Sequence, residues 1–366
     1  MEWVDKLGVS AFAAELKVAV DLALRCGDMI NKTQGARVEW KDDADGDGID
    51  PCTATDTANE AMITKELREQ FPGHRLIGEE AAAAGGIPRL TDAPTWIVGA
   101  CPERVTHLCE SCTHARPYPA SEKQLPSSAA RPSCAAVPSS ERLASFSSAD
   151  PIDGTQNFVH GLPLCCVSIG FCVDGRPILG VVYSPAVDEL FVGLHGQGAY
   201  LNGRRLRVDG CSRLSQAMVL TDPGYERSAE GVARMAKAYA AVLSVGTRAV
   251  RIVGSSVLSL CYVACGRCSA SYFGLHEKDC PKPWDFCAAH VIASEAGATF
   301  ARLGGSALDD EPRHGDDSRP FDIYCASGVC AGTAQVATEL QQLLLKTLGE
   351  FPYKLELNVN DVPPPP

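Results

Sequence analysis

Two short turns place the strongest limit on how this chain can fold. In CCVSIGFCVDGRPILGVVYSP the pair Asp174-Gly175 stands between two apolar runs, and in AYLNGRRLRV the pair Asn202-Gly203 is placed in the same way. Such pairs tolerate positive φ at both centres of a type I′ turn, whose twist matches that of paired strands. Residues 161–208 are therefore expected to form antiparallel hairpins. On either side the period changes. Phe12, Leu16, Ala19, Ala23 and Ile30 are spaced along one helix face, and DTANEAMITKELREQF has helical spacing ended by Pro72 and Gly73. HRLIGEE and APTWIVG read as short strands. Strands and helices then alternate through SVLSLCYVACG, WDFCAAHVIASEAGA and AGTAQVATELQQLLLKTL, and a C-terminal tail over 351–366 ends in PPPP, which reads as frayed. The fold class is α/β, and at 366 residues with 45% hydrophobic the chain can bury a large core.

Charge narrows the function. A formal net charge of -12, from 45 acidic against 33 basic side chains, argues against nucleic acid as a partner and tolerates metals or cationic ligands. The first helix carries acids throughout, unlike a signal peptide, and no apolar run is long enough to cross a bilayer. No membrane partner is expected, and the expected location is cytoplasmic. The 17 cysteines are scattered through apolar segments of a chain too long to need staples, so they read as reduced, core-filling thiols. Asp43, Asp45, Asp47 and Gly48 imitate half of a calcium loop. Ala54 stands where that loop needs Glu, and the stretch reads as a solvated loop.

The chemistry is concentrated in Asp150, Pro151, Ile152, Asp153, Gly154 and Thr155. Pro fixes one backbone angle and Gly permits a turn, so both carboxylates can face one point with a carbonyl between them, a donor set suited to a hard divalent cation. An isolated DxxDG is more often a surface turn. Here it has company: Glu79 and Glu80 follow a strand in LIGEE, and Asp285 in KPWDF sits at the expected N-cap of an apolar helix. Four clustered carboxylates would repel by about 4 kcal/mol per pair at about 4 Å and an effective dielectric of about 20, so something cationic must occupy their centre.

In this order along the chain the motifs resemble the inositol monophosphatase family of magnesium-dependent, lithium-sensitive sugar phosphatases, with plant-type members acting on inositol and L-galactose phosphates the nearest in flavour. The matching text includes DPCTATDTANE, FPGHRLIGEE, LTDAPTWIV, DPIDGTQNFVHGLPLCCVSIG, GVVYSPAVDELFVGLHGQGAYLNG and PWDFCAAHVIASEAGA. The resemblance implies a layered α/β/α/β/α sandwich over residues 10–348, a homodimer, and two or three Mg2+ ions. It implies that Glu79, Asp150 and the Ile152 carbonyl hold the first ion, that Asp150, Asp153 and Asp285 hold the second, and that a weaker third leans on Glu79. Glu79 and Thr155 would orient the attacking water, and Asp56 would orient the ligands. Asp153, Gly154, Thr155, Gly254, Ser255, Ser256 and Asp285 would contact the small-molecule phosphate ester. Myo-inositol 1-phosphate leads the implied substrates, followed by L-galactose 1-phosphate, with histidinol phosphate and phosphoadenosine phosphate behind.

Two departures stand out. Relatives run TWIVDPIDGT without a break, whereas here residues 99–149, rich in Pro, Ser, Ala and Cys, separate Val98 from Asp150. Their composition predicts disorder. Gly99, Ala149 and Asp150 fit translation through an intron beginning GT and ending AG that splits the Asp codon, so the segment reads as a retained intron; a genuine loop insertion is the alternative. A catalytically impaired fold-mate is the competing functional reading. Cys109, Cys112, His107 and His114 in the segment, with Cys101 and Cys134, have spacings zinc can use but lack a second well-spaced pair, and accident is favoured over a zinc module. The second departure concerns the Glu that grips a sugar hydroxyl in relatives. Tyr272 or Phe273 takes its place, leaving Glu277 as a shifted substitute or the acid lost.

Overall fold

The computed structural model describes residues 3–4, 12–33, 38–40, 51–78, 87–98, 153–304, 322–353, 355 and 357–358. The chain divides into two compact units, Met1–Pro102 with Phe146–Pro366, and Glu103–Ser145; the second lies wholly outside the described residues. So do the calcium-like loop, the zinc-like spacing and the expected disorder of 99–149.

Both expected hairpins form. Strands β1 (Val38–Trp40), β2 (Pro51–Thr53), β3 (Arg75–Gly78), β4 (Ile87–Pro88) and β5 (Thr95–Val98) precede β6 (Val167–Val173), β7 (Arg176–Ser184), β8 (Glu189–Leu194), β9 (Gly198–Leu201) and β10 (Arg204–Arg205). Asp174 and Gly175, between β6 and β7, have φ of 49° and 67°, and Asn202 and Gly203, between β9 and β10, have 47° and 80°. All four lie in the left-handed region a type I′ turn requires. A seven-stranded sheet results, in the order β10-β9-β8-β7-β6-β5-β3, parallel only between β3 and β5. The second sheet contains β11 (Met218–Thr221), β12 (Ala249–Arg251), β13 (Ala270–Phe273), β14 (Thr299–Arg302) and β15 (Gly328–Ala331) in the order β12-β11-β13-β15-β14. Pairs β1/β2 and β4/β16 (Leu357–Asn358) are separate.

Seven helices among the described residues cover these sheets: α1 (Ala13–Thr33), α2 (Ala54–Gln70), α3 (Thr155–Val159), α4 (Ala229–Ser244), α5 (Ser256–Ala264), α6 (Pro283–Ala296) and α7 (Ala334–Leu348). Strand residues alternate between layers with period two. Ile169 and Phe171 of β6 join Trp96 against Leu16, Ala19 and Ala23 of α1 and Ile63 of α2. On the opposite face Cys172, Val182 and Phe191 meet α5 and α6, which also cover Phe273 and Cys330 of the second sheet. Beyond that sheet, Val219, Tyr272 and Val329 pack on Ala238 of α4 and Leu340 of α7. The order of layers is helix, sheet, helix, sheet, helix, the α/β sandwich that the motifs implied.

A row of glycines seats the central helix. Gly170, Gly180 and Gly193 pair side by side across β6, β7 and β8. A Cβ at these positions would stand 2.4 Å from Cys287 Sγ, 2.2 Å from the Ala288 carbonyl oxygen and 2.8 Å from Ile292 Cα. The missing side chains make a groove into which α6 sinks, and α6 carries Asp285.

Twelve of the cysteines among the described residues are free, ten of them buried, in keeping with reduced core thiols. Among the described residues no helix is long and apolar enough to cross a membrane.

Candidate active site

The β5–β6 ladder pairs Val98 with Ile169 and is taken up again by a bridge between Asp153 and Cys166, whose amide donates to the Asp153 carbonyl at 3.1 Å. Only Val167 and Ser168 of β6 lie between. Asp153 therefore stands in line with β5, just beyond its end, despite the segment between them in sequence. Gly154 follows with φ of 90°, and a Cβ on it would meet the Leu164 carbonyl oxygen at 2.5 Å and that of Gly254 at 3.1 Å. Only glycine suits this place, on both backbone angle and space. Thr155, buried, then opens α3.

The Asp153 side chain is 8% exposed and held by the start of α5. Ser255, the N-cap of α5, donates its hydroxyl to Oδ2 and accepts from the Leu258 amide at 3.0 Å. Val257 N–H donates to Oδ2 at 2.9 Å, Ser256 N–H to Oδ1 at 3.2 Å, and the Cys166 thiol to Oδ2 at 3.8 Å. The α5 N-terminus thus satisfies its orphan amides on a carboxylate from another element. Burial nonetheless pushes the Asp153 carboxyl above its usual range, and these bonds pull it back.

Asp285 is the third residue of α6 rather than its N-cap, a correction to the expected position. Pro283 begins the helix, a place where its missing N–H is not needed, and the Asp285 carboxylate reaches back to the Lys282 amide at 2.7 Å. Burial, then the charge of Asp153, raises this carboxyl to about 7. Asp222, just past β11, is raised to about 7 by the same two causes. The three acids thus feel one another, and Lys282 lowers the pKa of Asp285.

The structure brings Asp153, Gly154, Ser255, Ser256 and Asp285 into one neighbourhood. The Ser255 hydroxyl is committed to Asp153. Asp56 is fully buried in the first turn of α2, on the same face as Glu60, whose Oε1 would lie 2.6 Å from a Cβ on Gly78, the last residue of β3. Glu79, Asp150 and Ile152 lie outside the described residues. Among the described residues, no three His, Cys, Asp or Glu side chains gather closely enough to hold a metal ion. Glu277 is exposed, and Tyr272 and Phe273 are buried in β13.

Sequence reading missed Asp222 and Asn157. Asn157 Nδ2 lies 2.8 Å from the carbonyls of Leu164 and Val253 and 3.1 Å from that of Gly254, tying α3 to the loop before α5. TDPGYE looks like an ordinary turn, and an Asn inside DGTQNF looks like solvent-facing helix. Neither offers a local signal.

The profile of the inositol monophosphatase family matches residues 13–98 and 139–350. The chain belongs to the inositol monophosphatase family. Human inositol monophosphatase 2 is 35% identical over 331 residues, spanning 90% of this chain and 89% of the relative. Tomato inositol monophosphatase 3 is 35% identical over 297 residues, spanning 80% and 88%. The solved inositol monophosphatase of Anabaena superposes with a TM-score of 0.60 at 23% identity, covering 92% of this chain and 98% of that one. The Staphylococcus aureus enzyme SaIMPase-II, solved with inositol monophosphate bound, gives 0.59 at 21% identity, covering 91% and 94%. These similarities make the chain an inositol-phosphate phosphatase, a phosphoric monoester hydrolase of a generally metal-dependent family.

Proposed function

We propose that this inositol monophosphatase relative hydrolyses myo-inositol 1-phosphate with magnesium. The observation that carries the reading is the buried pair of Asp153 and Asp285, held by the N-terminal turns of α5 and α6, with burial raising the proton affinity of both and the charge of Asp153 raising that of Asp285 further. Such a pair suits a hard dication, which takes carboxylate oxygens and relieves their mutual repulsion. Asp153 and Asp285 would hold the ions together with Glu79, Asp150 and the Ile152 carbonyl, the residues implied by the family motifs. Bound divalent cations supply Lewis acidity to the ester and to water. The chain's own part is positional. The α5 turn fixes Asp153, Asn157 locks α3 to the loop before that turn, and Thr155, buried at the head of α3, would orient the attacking water as the family motifs imply.

The test is phosphate release from myo-inositol 1-phosphate, L-galactose 1-phosphate and histidinol phosphate as magnesium is titrated. The inositol ester should give the highest kcat/KM, and Asp285→Asn should lower it by at least about 100-fold, as expected for a lost charged ligand. A preference for either other ester would overturn the substrate assignment, and turnover without divalent ions would overturn the metal. The remaining family expectations, a homodimer and lithium sensitivity, are part of the same proposal; a monomeric mass in solution would contradict the first.

A further inference from the structure

Asn59 is an amide sealed inside the molecule with nothing to bond. It stands on α2 and is fully buried, yet neither Nδ2 nor Oδ1 has a hydrogen-bond partner. Even its own helix leaves it unserved, although a short polar side chain in a helix can bond back to a carbonyl one turn earlier. Asp56, Asn59, Glu60 and Ile63 follow at i, i+3, i+4 and i+7, so they share one buried face of α2. Where that face points follows from strand register. Glu60 lies against Gly78, the last residue of β3, and Gly78 pairs with Val98, the last of β5. Asp153 continues the line just beyond Val98, and the residue after Gly78 in sequence is Glu79. From the other side β2 runs directly into α2 and lies against α3, the helix that Thr155 opens. The polar face of α2 therefore looks onto the end of the sheet at which Asp153 stands.

Such a residue is unfavourable twice over. Asn is a poor helix former, and a buried amide without partners gives up the hydrogen bonds it had with water. Leucine has the same branched skeleton and no such need, so the amide calls for something that the chain itself does not contain. A hard dication at this end of the sheet would supply it, because magnesium keeps several of its own waters and these are strong O–H donors. We propose that Asn59 is a positioning residue of the metal centre, its amide bridging the hydration water and the carboxylate oxygens of the divalent ion: Oδ1 accepts from the water and Nδ2 donates to a carboxylate. The helix thus retains a locally unfavourable residue for the sake of the site. The assignment rests on the metal-dependent phosphatase reading above. It adds a residue to which the motifs give no role, since NEAM reads as plain helix interior.

The experiment measures manganese binding by calorimetry, and thermal midpoints in chelator and at one fixed manganese concentration, for the native chain, Asn59→Leu and Asn59→Asp. In chelator Asn59→Leu should melt no lower than the native chain, because it removes the unpartnered amide. Its manganese dissociation constant should nevertheless rise by about 10- to 100-fold, the usual effect of removing a group that orients a ligand. Added manganese should therefore lift its midpoint by less than that of the native chain. Asn59→Asp keeps an acceptor oxygen but adds a carboxyl beside Asp56 and Glu60; it should melt lower in chelator and still bind manganese within about threefold of the native chain. A merely structural Asn59 predicts the reverse: Asn59→Leu would shift the midpoint equally in both conditions and leave manganese affinity unchanged, and that result overturns the proposal. If Asn59→Leu does not fold, the side-chain amide resonance of Asn59 in the native chain decides. It must move as magnesium is titrated, and a resonance that stays in place overturns the assignment. A native chain that binds no manganese would sink the metal-dependent reading itself, whereas manganese held equally by the native chain and by Asn59→Leu would sink the Asn59 assignment alone.

Discussion

Ser255 shows how much of the site depends on one hydroxyl. It caps α5 through the Leu258 amide and donates to Asp153 in the same geometry. Ser255→Ala should lower stability by about 1–2 kcal/mol in chemical denaturation, the worth of an N-cap, and slow phosphate release by at least about tenfold as Asp153 loses its donor. The buried acids predict a pH dependence of the metal-free chain. Asp222 and Asp279 are both raised to about 7 from an ordinary 3.8, first by burial and then by a neighbouring acid's charge. Between about pH 4 and pH 7 the folded chain therefore holds more protons than the unfolded one. Stability should fall as pH rises through that window and level off above it. Thermal midpoints measured in chelator across this range should show the slope, and the double variant Asp222→Asn, Asp279→Asn should flatten it. A midpoint that rises from pH 4 to pH 7 in the native chain alone would contradict the burial of these acids.

At the scale of elements, the seating of α6 governs where Asp285 stands. Gly180 faces the Ala288 backbone, and a Cβ there would sit 2.2 Å from the Ala288 carbonyl oxygen. Gly180→Ala should cost about 1–3 kcal/mol by overpacking, read as a lower denaturation midpoint, and should reduce turnover at temperatures where the variant is still folded. The hairpins, the helical faces and Asp153 were legible in the sequence because each has a local cause: Asn-Gly and Asp-Gly turns, apolar spacing, and acids beside Gly154. The glycine row was not legible, since Gly170, Gly180 and Gly193 each look like an interruption of an apolar strand, and only cross-strand register sets them side by side. Asp222 and Asp279 escaped for a similar reason. Their burial is created by two loops meeting, which no single stretch of chain encodes. Asp285 was placed three helix positions too early, at the N-cap, because Pro283 starts α6 two residues before it.

For the molecule as a whole, the decisive feature is that β5 pairs along β6 while Asp153 bridges to Cys166, the residue just before β6. Val98 and Asp153 pair with Ile169 and Cys166, three positions apart, about 10 Å at strand rise, a distance that about three or four extended residues span. The family profile likewise breaks after residue 98 and resumes at 139. We therefore expect a chain lacking residues 99–149 to fold with a thermal midpoint no lower than that of the full chain, relieved of roughly 2 kcal/mol of loop-closure entropy. Its phosphatase activity should be at least as high. Loss of folding in the shortened chain would show that the segment is a structural part of this protein. The central claim is that acids from the β5–β6 ladder and from α6 share a nest of divalent cations. Crystals of the shortened chain grown with manganese in place of magnesium test it most directly. The account predicts anomalous density within about 2.1–2.2 Å of both an Asp153 and an Asp285 carboxylate oxygen, lost in Asp285→Asn. Density confined to the surface, or carboxylates of Asp153 and Asp285 left without an ion between them at saturating manganese, would contradict it.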